Sequence, residues 1–250
     1  MKQSETSRCA TLFFTRAPIS EARHKRFHSI ALEKQARLYE AFIEHLSSEV
    51  HKSNLPLICA VDEPEFFESR INAQHLLIQN GDSFSERLTG AIDKAFSLGY
   101  DELIIVGNDS PAVSAAHFQT AIRGLGENDL ALGESTDGGV YLIALKKESW
   151  EKIKAEFDTI RWLSPMVFTD LCQIAAEQHL SAFFLQQLSE FDSLHDAPLV
   201  LTEITSEIVF RAVSITLEPL NRMFTASYSA IQEVSQINRL RFQKAPPFRA

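Results

Sequence analysis

Short β-rich apolar runs alternate along the chain with longer amphipathic stretches, and this alternation constrains the fold more than any other feature. The clearest run is Leu103 to Val106 (LIIV). Four consecutive apolar residues are typical of a strand that is buried on both faces of a parallel sheet. Because helix-like stretches separate most of the runs, the sequence predicts an α/β fold with a mainly parallel sheet. Further strands are predicted at Ala10 to Thr15, Leu55 to Val61, Leu76 to Gln79, Asp129 to Gly133 and Val140 to Leu145.

Caps and apolar spacing predict the helices between these strands. The strongest prediction is Ser83 to Leu98, because Ser83 and Glu86 have the spacing of a capping box and Gly99 provides a stop. Other helices are predicted at 114–123 and 164–178, and a charged helix-forming stretch follows the first strand to about residue 52. The apolar stripe of the strongest helix is formed by Phe84, Leu88, Ile92, Ala95 and Phe96.

The character of the sequence changes after about residue 196. Leu199 to Tyr228 is apolar and helix-like and contains no glycine. We therefore expect an α/β domain over residues 1–196, with residues 197–250 as a helical C-terminal extension packed on it. The tail 238–250 is basic and contains Pro246-Pro247, so we expect it to lie loosely on the surface.

Composition excludes several kinds of function. The formal net charge of −9 disfavours a general attraction to nucleic acid or to an anionic membrane. No apolar run is long enough to span a bilayer, and the polar start lacks the apolar stretch of a signal peptide, so we expect a cytoplasmic location. The three cysteines have no metal-binding spacing, and Cys59 is expected to be a buried thiol. Signatures of zinc peptidases, serine hydrolases, P-loop enzymes and dinucleotide-binding domains are missing from the sequence.

The segment Val106-Gly107-Asn108-Asp109-Ser110-Pro111 directly follows the most apolar predicted strand. In open α/β sheets, ligands bind beyond the carboxyl ends of the strands. A carboxylate at that place, such as Asp109, can hold a hard cation together with substrate phosphate oxygens. The alternative is that Asn108 or Asp109 only caps the helix that begins near residue 114.

A second acidic segment, Gly133 to Tyr141, contains Asp137-Gly138-Gly139 between two predicted strands. Asp-Gly is a strong hairpin signal, so the segment could serve only as a turn. It also ends a predicted strand, as the first segment does. Two carboxylates, Asp109 and Asp137, at one edge of a sheet would suit a divalent metal that bridges a diphosphate.

A basic segment follows the first strand, and Gln79-Asn80-Gly81-Asp82 precedes the capped helix. Cations in the first strand-to-helix loop are well placed to neutralise phosphates. The alternative is a solvated helix start, although cations at a helix N-terminus oppose its dipole, which favours a function for them. The basic residues are Arg16, Arg23, Lys25 and Arg26, with His24 among them.

Together and in this order, these segments resemble a bacterial family of glycosyltransferase-A-like (GT-A-like) proteins. The family is of the radical-SAM/selenodomain-associated transferase type and is often labelled a domain of unknown function. Gly107 to Pro111 is similar to its Gly-x-Asp-x-Pro element, and Gly133 to Leu142 to its Gly-x-x-x-Asp-Gly-Gly-Tyr-Tyr-Leu element, with Val140 in place of the first tyrosine. The resemblance covers residues 10–196 and extends to 81–87, Ile160-Arg161-Trp162 and Phe191-Asp192-Ser193.

The resemblance implies a Rossmann-like GT-A fold, a nucleotide held over the strand ends, and Mg²⁺ or Mn²⁺ as the cofactor. It implies that Asp109 binds the metal and that Asp137 is a second polar contact to metal or substrate. The base for the acceptor hydroxyl stays open among Asp137, Asp192 and His195, of which we predict Asp137 and Asp192 as the catalytic residues. The implied nucleotide- and phosphate-binding residues are Arg16, Arg23, Lys25, Arg26, Gly81, Arg87 and Asn108, and the implied substrate loop contains Gly138, Gly139 and Trp162.

The first loop departs from the family pattern, because Glu21 replaces its glycine and His24 its lysine, although Arg26 is kept. A carboxylate near phosphates costs binding free energy unless a cation such as Arg23 or Lys25 offsets it. The leading hypothesis is a metal-dependent glycosyltransferase with a nucleotide-diphosphate sugar donor and an unknown small-molecule acceptor. A nucleotidyltransferase that uses a nucleoside triphosphate and a degenerate member that binds a ligand or partner without turnover are the alternatives. A homodimer through residues 197–250 also stays open.

Overall fold

The computed structural model describes residues 8–217, in which seven strands and nine α-helices alternate. A 3-10 helix, Lys154–Thr159, follows the sixth helix. The strands are β1 (Cys9–Phe14), β2 (Leu57–Val61), β3 (His75–Ile78), β4 (Glu102–Val106), β5 (Leu130–Glu134), β6 (Val140–Lys146) and β7 (Ala182–Phe184). The helices are α1 (Pro18–His24), α2 (Leu32–Lys52), α3 (Pro64–Arg70), α4 (Phe84–Ser97), α5 (Ala115–Glu127), α6 (Lys147–Ile153), α7 (Val167–Glu177), α8 (Ala197–Glu203) and α9 (Glu207–Leu217).

The strands form a sheet in the order β3-β2-β1-β4-β6-β5-β7. Neighbours from β3 to β4 are parallel, and β7 is parallel to β5. β6 runs antiparallel to both β4 and β5, as its short connection to β5 allows. The predicted α/β fold with a mainly parallel sheet is therefore confirmed, and the turn before β6 is a true hairpin connection.

Helices cover both faces of the sheet. One core contains α4, α6 and α7, and the other contains α2, α3 and α5. Strands in the centre are consequently apolar on both sides: all of β2 is buried, and so are Leu103 to Val106 of β4. The continuous apolar run that predicted β4 has this physical cause. Cys59 is fully buried, as its apolar neighbours predicted.

The capping box predicted for α4 is present. Ser83 Oγ accepts a bond of 3.0 Å from Glu86 N, and Glu86 Oε2 accepts one of 3.4 Å from Ser83 N. The helix ends before Gly99, whose φ of +92° lies in the left-handed region that glycine adopts freely. α5 extends four residues further than predicted, and α7 begins three residues later. The sequence analysis missed α3, α6 and β7, which are too short to show a clear period.

A contact between α2 and α5 fixes the loop that follows β4. Glu49 Oε2 accepts a bond of 2.9 Å from Ala115 N and so caps the first turn of α5. His45 Nε2 lies 3.2 Å from Val113 O, one turn earlier on α2. Two side chains of α2 thereby hold the end of the segment between β4 and α5, which contains Asp109.

The last two described helices pack on the first part of the chain. α9 lies against α2, and α8 and α9 share a buried cluster with residues of α1 and α2. Phe191 is part of this cluster, with its ring centroid 5.6 Å from that of Phe42. The predicted division at residue 196 stays a prediction, and residues 218–250, including the predicted loose tail, lie outside the described residues. Between residues 8 and 217, no helix has both the length and the apolarity that a membrane span requires.

Replacing Ser83 by alanine should remove the cap of α4. Because Ser83 Oγ accepts a bond from the helix, we expect Ser83→Ala to lower the free energy of unfolding by about 1 kcal/mol. Ser97→Ala is the matched control, since this exposed hydroxyl at the other end donates only to Lys94 O and should change stability by less than about 0.5 kcal/mol. Urea unfolding measures both, and equal losses would contradict the prediction.

Acid should destabilise the contact between α2 and α5. Burial lowers the pKa of His45 and that of His117 below the ordinary value, so the folded protein protonates each ring at a lower pH than the unfolded chain does. The unfolded chain protonates them near pH ~6.5, so this stability is complete above that pH and is lost as the pH falls towards the lowered folded values. The loss can reach ~1.4 kcal/mol per histidine for each pH unit. Urea unfolding of the wild type and of His45→Gln between pH 7.5 and 5.5 measures it as the difference between their slopes, because other groups that titrate in this range contribute equally to both proteins. His45→Gln should show a shallower loss, and an unchanged slope would contradict our assignment.

Candidate functional site

A cleft of about 420 Å³ lies where several loops meet at one edge of the sheet. It lies outside the carboxyl ends of β1 and β4, where ligands bind in open α/β sheets. Because β6 is antiparallel to β4, the turn before β6 lies at the same edge. Asp109 and Asp137 therefore lie at the same edge of the sheet, as the sequence predicts. Among the described residues, the lining contains five carboxyl groups and two permanent cations: Glu21, Asp109, Asp137, Glu190 and Asp192, with Arg16 and Lys25.

Lys25 lies between two of these carboxylates. Its Nζ is 2.8 Å from Asp109 Oδ1 and also contacts Asp192 Oδ1. Burial opposes the charged ammonium, but the two carboxylates outweigh it and raise the pKa of Lys25 above its ordinary value. Phe191 N donates a bond of 2.7 Å to Asp109 O. The chain around residue 191 is therefore joined to the loop after β4 directly by a backbone bond and indirectly through Lys25, which contacts a carboxylate of each segment.

Asp192 also belongs to a cluster of three carboxylates. One oxygen from each of Asp137, Glu190 and Asp192 lies within 4.8 Å of the others. Ser135 Oγ donates a bond of 2.5 Å to Glu190 Oε1. Burial is the main cause that raises the pKa of Glu190 to about 8, and repulsion from Asp109 adds to it. Such a set of carboxylates is costly unless protons or a cation neutralise it.

Glu21, the departure in the first loop, is buried and ion-paired. Its Oε2 lies 3.0 Å from Arg16 Nη1. Burial and the nearby Asp109 raise the pKa of Glu21, while Lys25 and Arg16 oppose the rise. Arg16 therefore offsets this carboxylate by direct contact, a role that sequence reasoning gave to Arg23 or Lys25.

The other predicted basic residues support turns or lie in solvent. Arg26 Nη1 donates to Phe27 O at 2.8 Å and to Ile30 O at 2.6 Å. Arg87 donates to Gly81 O at 3.2 Å, at the start of α4. Arg23 is exposed in the last turn of α1. The sequence predicts the basic segment of Arg16, Arg23, Lys25 and Arg26 at a helix N-terminus, whereas Arg23 and His24 lie in the last turn of α1, where the helix dipole favours positive charge.

The turn before β6 presents Asp137 to the cleft. Gly138 has a φ of +90°, and a Cβ there would lie 2.2 Å from Pro165 O. Gly139 N donates a bond of 3.0 Å to Asp137 Oδ1, so the carboxylate is oriented by its own turn. Gly139 lines the cleft with Trp162, whose indole N donates to Phe157 O. The turn is a hairpin connection and also part of the cleft wall.

Asn108 is buried at the base of the cleft, and its Nδ2 atom has no hydrogen-bond partner among the described residues. Ser110 Oγ, two residues later, is also buried and unpartnered there. Buried polar atoms are normally paired, so both atoms suit hydrogen bonds to a ligand. Sequence reasoning named Asn108 but missed Ser110 and Glu190. Ser110 lies within the Gly107-to-Pro111 motif, which could have indicated it. Glu190 directly precedes the Phe191-Asp192-Ser193 segment, but no sequence pattern includes it.

The comparisons with known proteins agree with this fold. Residues 50–164 match the model of a family described as "uncharacterized protein conserved in bacteria (DUF2064)". This range contains the loop after β4 and the turn before β6, and it ends before Glu190 and Asp192. No curated protein gives a significant match to the chain.

Solved structures extend the likeness to most of the chain. A protein from Desulfovibrio desulfuricans G20, provisionally named a nucleotide-diphospho-sugar transferase, is similar over 88% of this chain and 99% of its own, at 26% identity and a TM-score of 0.77. A cytidylyltransferase from Leptospira borgpetersenii serovar Hardjo-bovis (strain JB197) is similar over 91% and 98%, at 12% identity and a TM-score of 0.52. A Mycobacterium tuberculosis H37Rv protein, solved in complex with manganese, is similar over 78% and 98%, at 9% identity and a TM-score of 0.50. The resemblance to this bacterial family and to the nucleotide-diphospho-sugar transferase superfamily is confirmed, and the two distant structures share the fold.

A methyl group at Gly138 should distort the turn that presents Asp137. The positive φ and the close Pro165 carbonyl leave no room for a side chain, so we expect Gly138→Ala to lower the free energy of unfolding by about 1–3 kcal/mol. Gly126→Ala in α5 is the control, because a Cβ there meets no atom of the described residues within 4 Å. This substitution should be neutral or stabilise by up to about 1 kcal/mol. Thermal unfolding compares the two. A Gly138→Ala protein as stable as Gly126→Ala would show that the turn is not constrained.

Proposed function

We propose that this protein is a metal-dependent transferase that binds a nucleotide-diphosphate sugar in the cleft after β1 and β4. The observation that carries the proposal is the charge of the cleft, whose described lining has five carboxyl groups and two permanent cations. Even with Glu190 protonated, because its pKa is raised to about 8, four carboxyl groups face two cations. Both of those cations are already paired with carboxylates. A diphosphate would add negative charge to a site that already has an excess of it, so its binding requires an added polyvalent cation.

The residues of the cleft fit a hard divalent cation. Asp137, Glu190 and Asp192 bring three carboxylate oxygens together, and Mg²⁺ and Mn²⁺ prefer oxygen ligands from carboxylates and substrate phosphates. Asp109, proposed as a metal residue from the sequence, is linked to this set because it shares Lys25 with Asp192. When bound, the cation would stabilise the negative charge that develops on the departing diphosphate.

The remaining groups of the cleft would orient the donor. Asn108 Nδ2 has a free hydrogen in a buried place, so it would donate to a nucleotide or sugar oxygen. Phe14, Phe84 and Trp162 provide an apolar wall near the polar groups, as is usual for small-molecule sites. His195, the third candidate base, is exposed and lies outside the lining of the cleft, so the proposed catalytic carboxylates are Asp137 and Asp192.

The likeness to the Desulfovibrio protein supports the donor class, because it covers nearly the whole of both chains. Nucleotidyl transfer from a nucleoside triphosphate remains the second candidate, since the same excess of carboxylates would also require metal for a triphosphate. The product separates the two reactions: glycosyl transfer releases a nucleoside diphosphate, and nucleotidyl transfer releases pyrophosphate. A degenerate member would release neither.

Thermal unfolding in the presence of nucleotides tests the proposal. Nucleotide-diphosphate sugars should stabilise the protein only when Mn²⁺ or Mg²⁺ is present, by about 2.7 kcal/mol at a hundred times the dissociation constant. Asp192→Asn should remove most of this shift, because it takes a charged oxygen from the cluster. Glu68→Gln is the control, since this exposed residue of α3 lies outside the cleft.

Two outcomes would contradict the proposal. The first is that nucleotides stabilise the protein by the same amount with and without metal. The second is no stabilisation by any nucleoside diphosphate, triphosphate or nucleotide sugar in a folded protein, which would favour the degenerate binding reading. A shift only with triphosphates, together with release of pyrophosphate, would select nucleotidyl transfer.

A further inference from the structure

Lys25 is anchored by its backbone while its side chain reaches across the cleft. Lys25 N donates a bond of 2.8 Å to Glu21 O at the end of α1. Lys25 O accepts from the side-chain amide of Gln35 in α2. The ammonium group, in contrast, is held only by Asp109 and Asp192 in the described part of the chain. Its long side chain can therefore change its contacts without moving the fold.

The ion pair of Lys25 with Asp192 is open to an incoming ligand, because the Asp192 side chain is 45% exposed. The Asp109 side chain is 33% exposed, although its Oδ1 atom, which faces Lys25, is buried. The pair between Arg16 and Glu21 is different, because the Glu21 side chain is only 3% exposed. Removing Arg16 from its partner would leave a buried charge, which is costly. Of the two permanent cations in the cleft lining, Lys25 is the one that can be released.

Asp192 is shared between Lys25 and the carboxylate cluster. It contacts the ammonium group of Lys25, and it also contributes an oxygen to the set with Asp137 and Glu190. A divalent cation held by that set would lie close to the ammonium group, and the two positive charges would repel each other. The arrangement therefore makes Lys25 and a divalent cation competitors for Asp192.

We infer that Lys25 is the counter-cation of Asp109 and Asp192 in the empty cleft. Binding of a metal–nucleotide complex would displace its ammonium group onto the phosphates of the donor. In the free protein the ammonium group offsets part of the negative charge of Asp109 and Asp192 and so disfavours metal alone. When the diphosphate enters with the metal, its negative charge offers Lys25 new partners and the carboxylates accept the metal. The inference rests on the proposed function for the identity of the incoming ligand.

The consequence is a coupling between metal and nucleotide. Metal and nucleotide both favour the displaced position of Lys25, so each strengthens the binding of the other by the same factor. Removal of the ammonium group should therefore affect the two ligands in opposite directions. If Lys25 only held Asp109 and Asp192 in place, its loss would instead weaken the binding of both metal and nucleotide.

Titration of Mn²⁺ by calorimetry and by electron paramagnetic resonance tests the inference without any turnover. Lys25→Met should bind Mn²⁺ alone at least ~10-fold more tightly than the wild type, which corresponds to ~1.4 kcal/mol. With Mn²⁺ saturating, the affinity of the same variant for a nucleoside diphosphate should fall by ~10-fold, because its phosphates lose a cation. Lys25→Arg keeps the charge and should not gain affinity for Mn²⁺. Lys152→Met, an exposed lysine of α6, is the control for loss of one positive charge and should change each affinity by less than ~2-fold.

The outcomes separate this inference from the proposed function. Unchanged or weaker Mn²⁺ binding by folded Lys25→Met overturns the inference, even if nucleotides bind with metal as proposed. Tighter Mn²⁺ binding supports the competition between Lys25 and metal, even if no nucleotide binds and the proposed donor is wrong. If Lys25→Met does not fold, the wild type decides: Mn²⁺ of equal affinity with and without a nucleoside diphosphate overturns the inference.

Discussion

The pairing of β6 with β4 is the interaction on which the site depends. β6 runs antiparallel to β4, with Val106 opposite Leu142, so the first residues of β6 meet the last residues of β4. A parallel β6 would carry the turn around Asp137 to the opposite edge of the sheet, far from Asp109. The chain near residue 188 is aligned with the turn by a second pairing, because β7 runs parallel to β5 and Thr136 N donates to Leu188 O. The reversed strand β6 thus brings Asp137 to Asp109, and the parallel strand β7 brings Glu190 and Asp192 to both.

This arrangement concentrates negative charge at a cost to the folded state. Like charges at short distance repel, and burial of a carboxylate adds a desolvation cost. The chain limits these costs locally, since Arg16 pairs with Glu21 and Ser135 donates to Glu190. The repulsion that remains is characteristic of functional sites, where residues suited to a ligand lower the stability of the folded protein.

The sequence predicts the parts of the fold whose signals are local. β4 could be predicted because burial on both faces requires a continuous apolar run, and α4 because its caps lie within the helix and next to it. The basic segment was harder to interpret, since the partners of its side chains depend on where α1 ends. Arg26, for example, donates to the nearby carbonyls of Phe27 and Ile30 instead of facing the cleft. Glu190 could not be predicted, because its neighbours Ser135 and Asp137 are more than fifty positions away in the chain and are brought to it by sheet pairing.

The position of Phe191 joins the cleft to the helices that follow it. Its ring is buried against Phe27 and Phe42 in the cluster shared with α8 and α9, while its two neighbours in the chain carry carboxylates of the cleft. Whatever restrains Glu190 and Asp192 thus also restrains the residue that anchors these helices. Occupation of the cleft should therefore slow hydrogen–deuterium exchange in α8 and α9, although neither helix lines it. In the opposite direction, a molecule that loosens these helices would weaken ligand binding without entering the cleft.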